Sequence, residues 1–185
     1  MAIRNVLVHA PPGAVWSVLA DGHAYDQWVV GTRRVRSVEP GWPAPGTSIH
    51  FTAGVGPVRI EDRTTSRICE EGRHLELEAH GAAFGSARVA IHILPWGDDS
   101  VVVLDEHPLR GSRILYENPL VELALTLRSR RMLGQLAAVV ERRATRSGAE
   151  QGGREGRAAP PAGGAAAAAR DGPSWSRRPR RSAGQ

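Results

Sequence analysis

An amphipathic helix beginning near residue 119 sets the first requirement on the fold. Asn118 can cap this helix, and Pro119 suits its first position because the proline ring already holds a helical φ angle. The pattern continues to about Arg143, with charged residues such as Arg128 on one face. The other face carries Leu120, Leu123, Ala124, Leu127, Met132, Leu136, Val139 and Val140. An apolar face of this length needs another element to pack against.

A sheet can supply that element, because alternation typical of strands runs from Arg33 to about residue 107. The clearest strand is predicted over residues 57–68, with arginine and glutamate on its solvent face. The inner positions of this strand are Val58, Ile60, Asp62, Thr64, Ser66 and Ile68. We therefore expect an antiparallel sheet with one apolar face, on which the long helix lies.

The next two strands are predicted to form a hairpin. A three-residue loop at residues 81–83 would place Glu76 opposite Arg88 and Leu75 opposite Val89. Opposite charges then meet on the outer face and apolar side chains meet on the inner face, as a stable antiparallel pair requires.

A strand and two short helices precede the sheet pattern. Residues 3–9 alternate as a strand, and Pro11-Pro12 is typical of a helix start. Asp21 can cap a second short helix, in which Tyr25 and Trp28 are three residues apart and share one face.

The charge of the chain is concentrated after residue 145. The sequence has 24 basic residues, all arginine, and 19 acidic ones, for a net charge of +5. Residues 1–145 contain 16 of each, whereas residues 146–185 contain eight arginines and three acidic residues in a Gly-, Ala- and Pro-rich context. We predict a domain over 1–145 and a disordered tail over 146–185.

Several protein classes lose support from the same sequence. No apolar run approaches the roughly 20 residues of a membrane span, and the first residues do not resemble a secretory signal, so we expect a cytoplasmic protein. Cys69 is the single cysteine, and the absence of lysine excludes Schiff-base chemistry and a P-loop. Since GxSxG, HExxH and Gly-rich phosphate motifs are also missing, we predict neither a metal nor a cofactor.

Local motifs occur in an order that resembles the START-like, or SRPBCC, superfamily of polyketide cyclases, lipid-transfer domains and pollen allergens. The residues that carry the resemblance are Ala10-Pro11-Pro12, Val15-Trp16, Tyr25, Gln27-Trp28-Val29, Gly46-Thr47, Asp105-Glu106 and the terminal helix. The resemblance covers about residues 1–145. It implies an α+β helix-grip fold, in which a curved seven-stranded antiparallel sheet and two short helices enclose a cavity with the long C-terminal helix.

The resemblance implies that such a cavity binds a hydrophobic or aromatic small molecule. The alternative is a polyketide-type cyclase or dehydratase, in which Asp62 or Glu106 acts as the acid or base. Polar residues within an apolar strand face favour a binding site, although a strand end in solvent would look the same. The family pattern favours an inward Glu106, while alternation alone leaves the phase of its strand open.

The ligand-binding residues that we predict share an inner position on the strands, the short helices or the long helix. They are Tyr25, Trp28, Phe51, Ile60, Asp62, Thr64, Leu75, Leu77, Val89, Leu104, Leu123 and Leu127.

Other polar clusters favour solvent contact. His74, Glu76, Glu78 and His80 alternate along one strand, but successive members lie about 7 Å apart, which is too far for one metal ion. The arginines near Trp175 could contact an anionic surface weakly, with no specific nucleic acid implied. A third interpretation is therefore a protein-interaction module anchored by its basic tail.

Overall fold

The computed structural model describes residues 2–54, 57, 59–81, 85–110 and 119–155. The elements along the chain are β1 (Ala2–Val8), α1 (Pro12–Ala20), a 3-10 helix (Gly22–Ala24), α2 (Tyr25–Trp28), β2 (Thr32–Val38), β3 (Ser48–Ala53), β4 (Ile60–Glu70), β5 (His74–Gly81), β6 (Gly85–Trp96), β7 (Asp99–Arg110) and α3 (Pro119–Glu155).

The seven strands form one antiparallel sheet in the order β1-β7-β6-β5-β4-β3-β2. Strands β1 and β2 are thus the two edges of the sheet. One apolar core joins the inner sheet face to α1, α2 and α3, with fully buried members such as Leu75, Ile91, Leu104, Leu136 and Val140. The predicted α+β helix-grip fold is confirmed.

The predicted hairpin between β5 and β6 is wrong in register by two positions. Leu75 pairs with Ile91, and Gly81 pairs with Gly85, so the connection lies one residue further along than expected. Because the slip is even, every side chain keeps its predicted face. Glu76 still meets Arg88, whose guanidinium lies 2.7 Å from the carboxylate across a diagonal of the sheet.

Strand β4 begins at Ile60, three residues later than predicted, and contains a bulge. The register shifts between Ser66 and Ile68, after which Cys69 pairs with Leu75. A bulge adds one residue to one strand and so reverses the alternation beyond it. Ile68 is therefore 41% exposed, contrary to its predicted inner position.

Helix α3 begins at Pro119 as predicted and ends at Glu155, about twelve residues beyond the expected end. It thus enters the segment that we assigned to the tail, and residues 156–185 lie outside the described part of the chain. Arg143 of this helix is 2.9 Å from the carboxylate of Asp21. Asp21 also caps the 3-10 helix by accepting a hydrogen bond from the backbone N–H of His23. The helix that contains Tyr25 and Trp28, which we predicted Asp21 to cap, begins later and has Ala24 at its N-cap position.

Among the helices within the described ranges, none is both long and apolar enough to cross a membrane.

Candidate functional site

Tyr25 lies at the centre of a polar cluster on the inner face of the sheet. The 3-10 helix and α2 carry its ring over β3 and β4, where it packs 5.3 Å from Phe51 and 5.4 Å from Trp28 between ring centroids. Its hydroxyl is 2.7 Å from the hydroxyl of Thr64, and both residues are buried. A buried pair of hydroxyls of this kind satisfies one hydrogen bond and retains capacity for another.

The surroundings of Tyr25 keep its hydroxyl neutral. Burial raises the pKa of Tyr25 to about 12, against the opposing effects of the Thr64 hydrogen bond and the positive charge of Arg128. The carboxylates of Asp62 and Glu106 raise it further. At neutral pH the group is therefore a hydrogen-bonding phenol with a polar environment on the sheet and on α3.

Glu106 reaches the same region from β7. It pairs with Val89 of β6, and Leu104 of the same strand face is buried, so its side chain lies on the inner face, as the family pattern led us to expect. The carboxylate accepts a hydrogen bond from the hydroxyl of Ser129 and lies 3.6 Å from a guanidinium nitrogen of Arg128. These contacts connect the last strand of the sheet to α3.

Arg128 connects Glu106 to the segment that follows α2. Its Nε donates to the backbone carbonyl of Val30 at 3.2 Å, while its Nη1 faces Glu106. Arg128, which we predicted on the charged face of the helix, is half-exposed, and its side chain makes these two contacts with the protein. The long apolar stem of an arginine can lie along the protein while its guanidinium group remains partly in contact with water.

Ser129 was missed because its polar side chain is not part of the apolar pattern of α3, although Met132, Leu136, Val139 and Val140 of that pattern are buried as predicted. Ser129 is 2% exposed, and it precedes Leu133 and Leu136 by four and seven residues on the buried face. Counting back from these two leucines would have identified it. Leu127, which we assigned to the ligand site, is instead 56% exposed and lies apart from the buried cluster.

Asp62 lies next to this cluster. It is half-buried on β4 opposite Phe51, and its Oδ1 accepts a hydrogen bond from the backbone N–H of Arg63 at 2.8 Å. The negative charge of Asp62 raises the pKa of Tyr25.

The other predicted site residues divide by burial. Ile60 is half-buried at the start of β4, and the side chain of Leu123 lies outside the described residues. The buried members are Trp28, Phe51, Leu75, Leu77, Val89 and Leu104. These six form part of the core cluster that also contains Tyr25.

Trp28 has a buried polar group without a partner in the described part of the chain. The residue is 4% exposed, and its indole N–H has no hydrogen-bond acceptor among the described residues. A buried donor without a partner is costly in free energy, so a molecule that supplies a hydrogen-bond acceptor there would bind more tightly.

The polar residues on the other face of β5 form pairs with neighbouring strands. Glu76 meets Arg88, Glu78 accepts from Nε of Arg67 at 2.8 Å, and the ring of His74 stacks on that of His92. Within the described ranges, no group of three or more His, Cys, Asp or Glu side chains is placed to hold a metal ion. Cys69 is half-buried, and burial raises the pKa of its thiol, which disfavours the reactive thiolate.

Residues 4–141 match the family described as polyketide cyclase / dehydrase and lipid transport. The chain belongs to this family. The matched range runs from β1 into α3 and includes each residue of the polar cluster. No curated protein matches the sequence.

Solved structures with the same fold have low sequence identity to this member of the polyketide cyclase / dehydrase and lipid transport family. The Zhui aromatase/cyclase from Streptomyces sp. R1128 is 17% identical with a TM-score of 0.59, over 77% of this chain and 94% of that one. The di-domain ARO/CYC StfQ of the steffimycin biosynthetic pathway is 11% identical with a TM-score of 0.61, over 78% of this chain and 51% of StfQ. Ara h 8.0201 is 13% identical with a TM-score of 0.56, over 75% and 95% of the two chains.

Proposed function

We propose that this protein binds a hydrophobic or aromatic small molecule between the inner face of the sheet and α3. The observation that carries the proposal is the polar cluster of Tyr25, Thr64, Glu106, Arg128 and Ser129 within apolar surroundings. Sites for small organic ligands combine an apolar lining with a few polar groups that orient the ligand.

The two kinds of residue would have different roles in binding. Apolar side chains such as Leu77 and Val89 would contribute roughly 25 cal/mol for each Å² of ligand surface removed from water. The indole N–H of Trp28 would donate to a ligand carbonyl or hydroxyl, which favours an oxygenated aromatic ligand over a pure hydrocarbon.

A thermal-shift and calorimetric comparison tests this proposal with two probes, the hydroxylated anthraquinone emodin and oleic acid. We expect emodin to raise the melting temperature, and Trp28→Phe to weaken its binding by about fivefold, as the loss of one neutral hydrogen bond predicts. Trp96→Phe is the matched control, because Trp96 is 68% exposed on the β6–β7 hairpin. The proposal fails if neither probe binds and no small molecule is retained in native mass spectra of the purified protein.

A polyketide-type cyclase or dehydratase is the second candidate, favoured by the two carboxylates that affect Tyr25. One carboxylate would remove a proton from the carbon beside a substrate carbonyl and then give that proton to the hydroxyl on the next carbon of the substrate. The hydroxyl would leave as water while a carbon–carbon double bond forms between the two carbons. Arg128 and Ser129 would hold Glu106 in place for this step. Glu106→Gln and Asp62→Asn should then abolish turnover while emodin binding persists. Unchanged turnover in both variants would contradict the assignment.

We also propose that residues 1–145 contain the whole binding site and that the protein is cytoplasmic. All residues of the polar cluster precede residue 130.

A further inference from the structure

A groove separate from the polar cluster lies between the edge strand β1 and α3. It has a volume of about 380 Å³ and is lined by Ile3, Arg4, Asn5, Val6, Arg130, Leu133 and Gly134. None of these residues belongs to the cluster around Tyr25. The volume falls at the lower end of the range for small-molecule sites.

The lining of the groove combines positive charge with apolar surface. Arg4 donates to the hydroxyl of Thr126 at 3.0 Å and to the carbonyl of Ile3 at 2.9 Å, and its buried Nε has no partner among the described residues. Arg130 is exposed. Within the described part of the chain neither guanidinium is in an ion pair, and the lining contains no carboxylate.

The groove is open above the helix at Gly134. A Cβ atom added there would meet nothing within 4 Å, so the absence of a side chain leaves open space at this part of the groove lining. Ile3, which is 55% exposed, adds apolar surface on the strand side.

We propose that this groove binds a small amphipathic carboxylate. The planar guanidinium groups of Arg4 and Arg130 suit the two oxygens of a carboxylate, and Val6, Leu133 and Ile3 suit a short apolar body. The volume limits that body to about one aromatic ring or a short chain. The site is independent of the one proposed above and differs from it in charge.

Calorimetric titration with 4-phenylbutyrate tests the proposal, with the neutral 4-phenylbutanamide as the matched probe. We expect the amide to bind at least about tenfold more weakly, and Arg130→Gln to weaken 4-phenylbutyrate by about tenfold, because each change removes a charge-assisted contact. Equal affinity for the two probes would overturn the proposal.

A steric variant locates the site. Gly134→Leu fills the groove and also replaces glycine by a better helix former, so the variant should fold and lose 4-phenylbutyrate binding. Gly148→Leu is its control, since Gly148 is likewise exposed on α3 with open space around it. The proposal is wrong if the two variants bind equally well. Emodin binding should survive Gly134→Leu, so failure of this site and failure of the site at Tyr25 give different results.

Discussion

Tyr25 is the residue at which packing and polarity meet. Its ring contacts Phe51 and Trp28, while its hydroxyl meets Thr64 and is affected by charges on β4, β7 and α3. The sequence predicted its inward position from its spacing to Trp28. It did not predict Thr64 as the partner, because 39 residues separate the two and only the sheet brings them together.

Tyr25→Phe should reveal the raised pKa of this group. The native protein keeps the Tyr25 proton until about pH 12, whereas the unfolded chain loses it near pH 10. The stabilising effect of the neutral phenol is therefore complete below pH 10 and is lost as the pH rises toward 12. We expect the free energy of unfolding of the wild type, compared with that of Tyr25→Phe, to fall by about 1 kcal/mol per pH unit in this window.

Urea denaturation of both proteins at pH 8, 10 and 11 measures this difference. At pH 8 the wild type should be more stable by about 1 kcal/mol, because Phe leaves the buried Thr64 hydroxyl without its partner. A difference that stays constant up to pH 11 would show that Tyr25 titrates as an ordinary tyrosine.

At the scale of elements, the periodicity of the sequence predicted which helices and strands form better than it predicted where they begin and end. Proline at the start of α1 and of α3, and alternation along β4 to β7, identified these elements from local chemistry alone. The bulge after Ser66, the buried position of Ser129 and the exposure of Leu127 were not predicted. All three depend on how an element packs against distant neighbours, and the sequence around each position contains no record of that contact.

Two glycines in different elements should respond to alanine in opposite directions. A Cβ at Gly22, in the 3-10 helix, would lie 2.7 and 3.0 Å from the methyl groups of Val38 and 3.2 Å from Cδ1 of Trp42. Gly22→Ala should therefore destabilise the fold by about 1–3 kcal/mol through overpacking. Gly134→Ala, with open space on α3, should stabilise it by about 0.5–1 kcal/mol.

The free energy of unfolding in urea measures both glycine variants. A Gly22→Ala protein as stable as wild type would mean that Val38 and Trp42 can move aside at no cost. A destabilised Gly134→Ala protein would contradict the open space above α3.

On the scale of the whole molecule, the excess positive charge lies in a different part of the chain from the helices and strands described above. Residues 156–185 contain six arginines and one aspartate, so they account for the whole net charge of +5. Residues 146–155 are helical in α3 and have two basic and two acidic residues. The appropriate cut between fold and basic segment is therefore after Glu155.

Truncation after Glu155 should separate surface binding from ligand binding. We expect the shortened protein to keep its melting temperature and its emodin affinity, and to lose association with vesicles of phosphatidylcholine and phosphatidylserine at 50 mM salt. Co-sedimentation at 50 and 200 mM salt measures this, and the full-length protein should dissociate at the higher concentration. Vesicle binding that survives the truncation would place the anionic contact within residues 1–155.

The sequence by itself determined the kind and order of the elements, the apolar face of the sheet and the segment that holds the excess charge. These properties follow from local periodicity and composition, which depend only on residues close together in the sequence. The tertiary structure decided the hairpin register, the exposure of Ile68 and the contacts of Glu106 with Arg128 and Ser129. Those features depend on contacts between residues that are distant in the sequence. A long arginine side chain or one extra residue in a strand alters such contacts while the local hydrophobic periodicity stays the same.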